Sequence, residues 1–236
     1  VKHWRGEIGE SGLIADFTGD SVVDFLCVTA RDRVPVLFEG EPGGKFDSPG
    51  RLIEAVTIQN ASVMTAGDID RDGDLDVWIT QYRRAYSGGQ MPTPFYDAND
   101  GYPSYLLIND GRGGFVDETE TRGLGEKRHR RTYSASFVDL NDDNALDLLV
   151  VSDFSGADIY ENDGSGHFED VRDLWLDQWH NFGMAHSFGD YNLDGRLDFY
   201  VIGMSSTTMR RLNYMGLNRS DFPQHGPMRT IMGYGN

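Results

Sequence analysis

Residues 67–80 read GDIDRDGDLDVWIT. Asp68, Asp70, Asp72, Asp74 and Asp76 occupy every second position, and the chain then turns apolar. So many carboxylates in one short loop repel one another. Oxygen donors in alternation suit a hard divalent cation such as Ca2+, which takes about six to eight oxygens in a flexible shell. The run LDVWIT is short and rich in branched and aromatic residues, which predicts a strand. The stretch therefore reads as a cation loop within a β-hairpin.

An EF-hand loop opens with a similar alternation but closes on a bidentate Glu at its twelfth position. Ile79 stands at that place here. The frame instead recurs along the chain, in ADFTGDSVVDFLCV (15–28), VDLNDDNALDLLVV (138–151) and GDYNLDGRLDFYVI (189–202), all aligning without gaps. Its first positions are Asp16, Asp68, Asp139 and Asp190, separated by 52, 71 and 51 residues. The repeats begin near residues 12, 63, 134 and 185. Glycine-rich hairpin signals follow the first three loops: VLFEGEPGGKF (36–46), LLINDGRGGFVD (106–117) and IYENDGSGHFED (159–170). Their Gly and Asn-Asp-Gly residues supply the positive φ of tight turns. The fourth repeat lacks such a hairpin.

The long middle spacing reads as an inserted loop at 83–104, rich in Pro, Gly, Tyr and Asp. Without it each period holds about four short strands, the signature of a propeller blade. The expected fold is all-β: a β-propeller of four-stranded blades, residues 1–236, with cation-binding hairpin loops. A β-helix is the alternative, but its repeats are much shorter. Helix is expected to be scarce, a turn or two within DVRDLWLDQWH (170–180), and the terminal YGN reads as the start of another hairpin strand. Four repeats make either a small ring or part of a larger one. An open row exposes unpaired surface, so missing blades or a covering partner is expected.

The chain has 236 residues, 21 basic against 38 acidic, for a net charge of −17. That balance argues against nucleic acid and anionic membrane surfaces, which require basic patches. No apolar run has the length of a membrane span. The start at Val1 reads as a processed or truncated chain. The lone Cys27, in VVDFLCV, reads as a core residue rather than a reactive thiol.

These repeats resemble the FG-GAP/VCBS family, whose blades build integrin α-subunit propellers. SFGD (187–190) retains the Phe-Gly, though the Gly-Ala-Pro half is absent. NDGRGGFVDETETRGL, YDANDGYPSYLLIND and MSSTTMRRLNYMGLNRSDFPQHGPMR look closer still to bacterial cartilage-acidic-protein-like (ASPIC/UnbV-associated) proteins. The resemblance implies a seven- or eight-bladed propeller and three to four Ca2+ ions. It further implies an extracellular, periplasmic or cell-surface location and a structural or adhesive role toward a protein or glycan partner. Enzymatic activity is not general in that family.

The resemblance implies side-chain ligands at loop positions 1, 3, 5 and 9 and a backbone carbonyl at position 7. That assigns Asp68, Asp70, Asp72 and Asp76 with the carbonyl of Asp74; Asp139, Asn141, Asp143 and Asp147 with Ala145; Asp190, Asn192, Asp194 and Asp198 with Arg196; and Asp16, Thr18, Asp20 and Asp24 with Val22. Position 6 needs an unusual backbone, which Gly73 and Gly195 adopt most easily, Asn144 tolerably and Ser21 least. The second loop carries the most ligand charge and the first has the weakest set. Mg2+ fits less well, since it prefers a rigid octahedron. The plainer alternative makes these aspartates turn residues that cap backbone.

For catalysis, His3, His129, His167, His180, His186 and His225 form no zinc pattern, and no G-x-S-x-G or P-loop occurs. WHNFGMAH places His180 and His186 near Trp175 and Trp179. Such residues either stack between blades or line a central channel, where a carbohydrate lyase or hydrolase would act. EKRHRR (126–131) reads as a solvated basic loop. Tyr86, Phe95, Tyr96 and Tyr102 make the insertion the expected recognition surface.

Overall fold

A computed structural model of the chain describes residues 8–29, 33–86, 91–217, 221 and 223–234. His3, residues 87–90 of the insertion and the last two residues of YGN lie outside them.

The first sheet is a meander of β1 (Ile8–Ala15), β2 (Asp24–Thr29), β3 (Pro35–Phe38) and β4 (Arg51–Leu52). The second contains β5 (Ala61–Gly67), β6 (Asp76–Gln81), β7 (Tyr105–Asn109) and β8 (Phe115–Asp117). The third contains β9 (Arg131–Val138), β10 (Asp147–Asp153), β11 (Gly156–Asn162) and β12 (Phe168–Asp170). Among the described residues the fourth has two strands, β13 (Gly183–Gly189) and β14 (Asp198–Gly203). All pairings are antiparallel, and each Asp loop joins the first two strands of its sheet, as in the pairs Gly67↔Asp76 and Val138↔Asp147.

First strands neighbour one another: β1 lies on β5, β5 on β9, and β9 on β13. This is the arrangement of successive propeller blades. Among the described residues no comparable contact joins β13 to β1, so the sheets form a row rather than a closed ring. Close approach explains the small residues of the first strands. A Cβ on Gly67 would lie 2.7 Å from Leu146 Cδ1 of the next repeat.

The core lies between sheets and follows strand alternation. In β6, Val77 and Ile79 pack toward the first sheet, with Leu26 and Leu37, while Trp78 packs toward the third, with Leu148 and Val150. In β10, Leu149 and Val151 turn the other way, toward Val201 and Phe188 of the fourth sheet. β2, β6 and β10 are thus buried on both faces, which is why they read as continuous apolar runs, whereas β14 leaves Tyr200 and Ile202 exposed. Each fully buried side chain of this kind contributes about 1.5–3 kcal/mol. Cys27 sits against Val36 and Phe38, and burial pushes its thiol up to about 11, so it is an inert core residue.

Three sequence expectations are overturned. α1 (Arg172–Trp175) is the anticipated turn within 170–180, but α2 (Thr207–Tyr214) and α3 (His225–Tyr234) were not anticipated. α3 includes Tyr234, so no strand begins there. Ser206 caps α2 by accepting from Met209 N at 3.2 Å, and Met209 and Met232 are buried together. Second, the insertion does not simply project. Phe95 and Ala98 are buried with Phe154, Phe182 and the two helix methionines. Third, EKRHRR is not a solvated loop. Arg130 and Arg131 are each 3 % exposed and ion-paired, because their acidic partners, Asp158 on β11 and Asp100 in the insertion, are distant in sequence.

Candidate functional site

The four Asp loops share one hydrogen-bonding scheme. The position-1 carboxylate accepts from the backbone N–H groups of positions 5 and 6. Asp68 takes Asp72 N and Gly73 N, both at 3.1 Å. Asp139 takes Asp143 N at 3.2 Å and Asn144 N at 2.9 Å, and Asp190 takes Asp194 N at 3.0 Å and Gly195 N at 2.9 Å. Asp16 takes Asp20 N at 3.2 Å, Ser21 N at 2.7 Å and also Gly19 N at 2.8 Å. Position 5 accepts from position 7: Val22 N to Asp20, Asp74 N to Asp72, Ala145 N to Asp143 and Arg196 N to Asp194, at 2.7–2.9 Å.

Such tight wrapping needs left-handed backbone. Position 6 has positive φ in all four loops, at Ser21, Gly73, Asn144 and Gly195. So does position 4, at Gly19, Arg71, Asp142 and Leu193.

Position 9 is a staple. Asp24, Asp76 and Asp147 are buried, and each accepts from the residue at loop position 2 and from the hairpin beyond. Asp76 takes Ile69 N at 3.4 Å and Asn109 N at 2.9 Å; Asp147 takes Leu140 N and Asn162 N, both at 3.0 Å; Asp24 takes Phe17 N and Gly40 N, both at 2.9 Å. Asp198 takes Tyr191 N at 3.0 Å. Burial pushes the Asp76 carboxyl up to about 7 against these bonds, and raises Asp147 too.

At position 3 the loops differ. Asn141 donates to Asp143 at 3.0 Å and Glu161 at 2.8 Å, Asn192 donates to Asp194 at 3.1 Å, and Thr18 turns its hydroxyl to Asp24 at 3.1 Å. In the second loop the oxygens of Asp68, Asp70 and Asp72 come within 4.8 Å of one another. Asp70 Oδ1 is buried without a hydrogen-bond partner, while Oδ2 meets Arg122 at 3.2 Å. Burial, then Asp72, raises the Asp70 carboxyl. Desolvation and four neighbouring aspartates, Asp72 foremost, raise that of Asp74. Converging hard oxygens, mutual repulsion and an orphaned buried oxygen fit a divalent cation.

Asn109 and Asn162 escaped the sequence reading. Asn109 Nδ2 donates to Phe17 O at 3.0 Å, and Asn162 Nδ2 to Ile69 O at 2.8 Å. Each acceptor belongs to the preceding blade's Asp loop. Their recurrence in the N-D-G hairpins was visible, but it read only as turn chemistry.

The histidines have separate surroundings. His180 stacks on Trp179 at 4.7 Å, and burial lowers its pKa. His186 Nε2 lies 2.8 Å from Ser136 Oγ, and burial lowers its pKa as well. Lys127 and Arg130 of EKRHRR converge instead on buried Asp158, joined by Arg172 of α1. Arg130 reaches it at 3.0 Å, Arg172 at 2.8 Å and Lys127 at 3.2 Å.

The architecture defines a row of antiparallel blades with aspartate loops at one end of their first strands. FG-GAP-like repeats match residues 16–79 and 139–201, more than half of the chain, and the chain belongs to that family. No curated protein matches it. Among solved structures it is similar to an Agrocybe aegerita lectin described as recognising non-reducing terminal N-acetylglucosamine, at 14 % identity and a TM-score of 0.31. That match covers 83 % of this chain and 60 % of the lectin, so the chain spans less than two thirds of its length. No helix among the described residues is long and apolar enough to cross a membrane.

Proposed function

We propose that this chain is a calcium-binding, extracytoplasmic interaction module: part of a larger propeller that presents rigid loops to a protein or glycan. The convergence of Asp68, Asp70 and Asp72 around the unpartnered Asp70 oxygen carries this reading. These three would hold the ion with the Asp74 carbonyl and a remaining lone pair of Asp76. The third and fourth loops repeat the frame with Asn141 and Asn192, and the first with Thr18, for three to four ions in all. A bound ion neutralises repelling carboxylates and ties each hairpin to its loop. Its role is to stiffen the blade. Loops of this kind fill at extracellular calcium concentrations, which supports export; fractionation finding the native protein only in the cytosol would refute that. The segments between blades support kinship with the cartilage-acidic-protein-like group. The open side of the fourth sheet supports a ring completed by further blades or a partner.

The test is thermal unfolding in millimolar Ca2+ and in EGTA. Binding to the native state alone raises stability with ligand concentration, so the midpoint is expected to rise with calcium. Equal midpoints would overturn the reading.

A further inference from the structure

A cleft of about 630 Å3 opens between the second and third sheets, at the ends of β5 and β9 remote from the Asp loops. It is lined by Asn60, Ser62, Tyr82, Arg84 and Tyr133, with Ala61 and Ala85. That volume lies within the range of small-ligand sites, about 300–1,000 Å3. In a chain of net charge −17, the lining carries one cation and no carboxylate. Asp100, which lines the adjoining recess with Arg84, is held at both oxygens by Arg131, at 2.9 Å each, and Asp153 is engaged by the Tyr82 hydroxyl. Among the described residues no acidic group pairs with Arg84. Its guanidinium therefore keeps its planar donor fork for an incoming carboxylate.

Tyr82 and Tyr133 stack with ring centroids 4.4 Å apart. Each ring uses one face on the other. Tyr82 is fixed further by its hydroxyl, which donates to Asp153 at 2.9 Å and also meets the Tyr133 hydroxyl. Asn60 Nδ2 is engaged with Tyr82 O at 2.7 Å, leaving its side-chain carbonyl as an acceptor. A prebuilt aromatic platform, several hydroxyl-bonding groups and one unpaired guanidinium match a ring with an apolar face, many hydroxyls and one acid. We propose that this cleft binds a carboxylated sugar, such as a uronic acid residue of a glycan. The inference rests on the interaction-module reading and names its ligand class.

The test is calorimetric titration, in excess calcium, with a glucuronic-acid-terminated disaccharide and its glucose-terminated counterpart. The acidic sugar is expected to saturate one site and to bind at least tenfold more tightly, a difference of about 1.4 kcal/mol. Arg84→Ala is expected to remove that preference and Arg84→Lys to restore part of it. Tyr133→Ala is expected to weaken both sugars while Tyr133→Phe does not. Equal affinity for both sugars, competition by inorganic phosphate as strong as by the acidic sugar, or indifference to Arg84→Ala would overturn the assignment. Calcium-dependent melting alongside absent sugar binding would sink this inference and leave the calcium module standing.

Discussion

At the scale of single residues, the loop frame is legible wherever residue type and backbone agree. Gly73, Gly195 and Asn144 mark left-handed positions in the sequence, and Ser21 adopts the same conformation without marking it. Position 4 was harder to read: Gly19 and Asp142 accept positive φ, but Arg71 and Leu193 carry no preference that announces it. Ligand chemistry then ranks the loops. Asp72→Ala removes an anionic donor from the converging carboxylates, whereas Thr18→Ala removes a neutral hydroxyl already given to Asp24. Calcium titration by calorimetry is expected to show a larger loss of affinity for Asp72→Ala, about tenfold or more; the reverse order would refute the assignment. The inter-blade asparagines allow a second prediction. Asn162 donates to Ile69 O and Leu146 O and accepts from Gly164 N and Gly166 N. Its loss leaves several buried groups unpaired, so Asn162→Ala is expected to cost about 3 kcal/mol in urea denaturation. Asn99→Ala, which removes one exposed bond to Glu126 O, is expected to cost under about 1 kcal/mol. Similar costs for the two would show that the latch contributes nothing.

At the scale of elements, strands and hairpins were legible because the repeat displays the same pattern several times. The helices were not. α3 contains Gly226, Pro227 and Gly233, which are poor helix formers, and its burial depends on the insertion and on Phe154 and Phe182. The insertion was misjudged for the same reason: Pro, Gly and Tyr announce a loop but not what lies beneath it. Asp97 and Asp100 of that segment pair with Arg130 and Arg131, about thirty residues on in sequence. The loop and the basic run are therefore one structural device. Deleting residues 86–102 is expected to destabilise the fold rather than remove an appendage, since it strips buried Arg131 of Asp100 and leaves buried Arg130 with Asp158 but without Asp97. The milder Phe95→Ala leaves those pairs intact and is expected to cost about 3–5 kcal/mol in thermal or chemical unfolding. A value below about 1 kcal/mol would restore the view of the insertion as an exposed recognition loop.

At the scale of the whole molecule, the sequence conveys blades and their order but not closure, because no local pattern specifies what covers the last sheet. Electrostatics is a global property that can be measured on this chain as it stands. Two buried carboxyls pull in opposite directions. Burial pushes Asp153 up to about 6, although Tyr82, Phe154 N and Arg131 oppose the shift. The unfolded chain ionises this group near its ordinary value of 3.8, while the native protein still holds the proton. Stability from Asp153 is therefore full at acid pH and is lost as pH rises through about 6. Asp158 behaves inversely. Burial works against its charge, but Arg130, Lys127 and Arg172 overcome it and hold the carboxyl below the ordinary range. Its contribution is full above that range and is lost as pH falls through the depressed value. In EGTA, stability is thus expected to peak near about pH 4 and to decline as pH rises through about 6. Asp76, raised to about 7, adds to that decline as long as no cation offsets its charge. Asp153→Asn keeps an acceptor for the Tyr82 hydroxyl and removes the charge. It is expected to flatten the slope between about pH 4 and pH 6 and to raise metal-free stability at pH 8 by on the order of 2 kcal/mol. Urea denaturation at each pH decides the matter: an unchanged slope in Asp153→Asn would mean that this buried carboxylate is already compensated in the native protein.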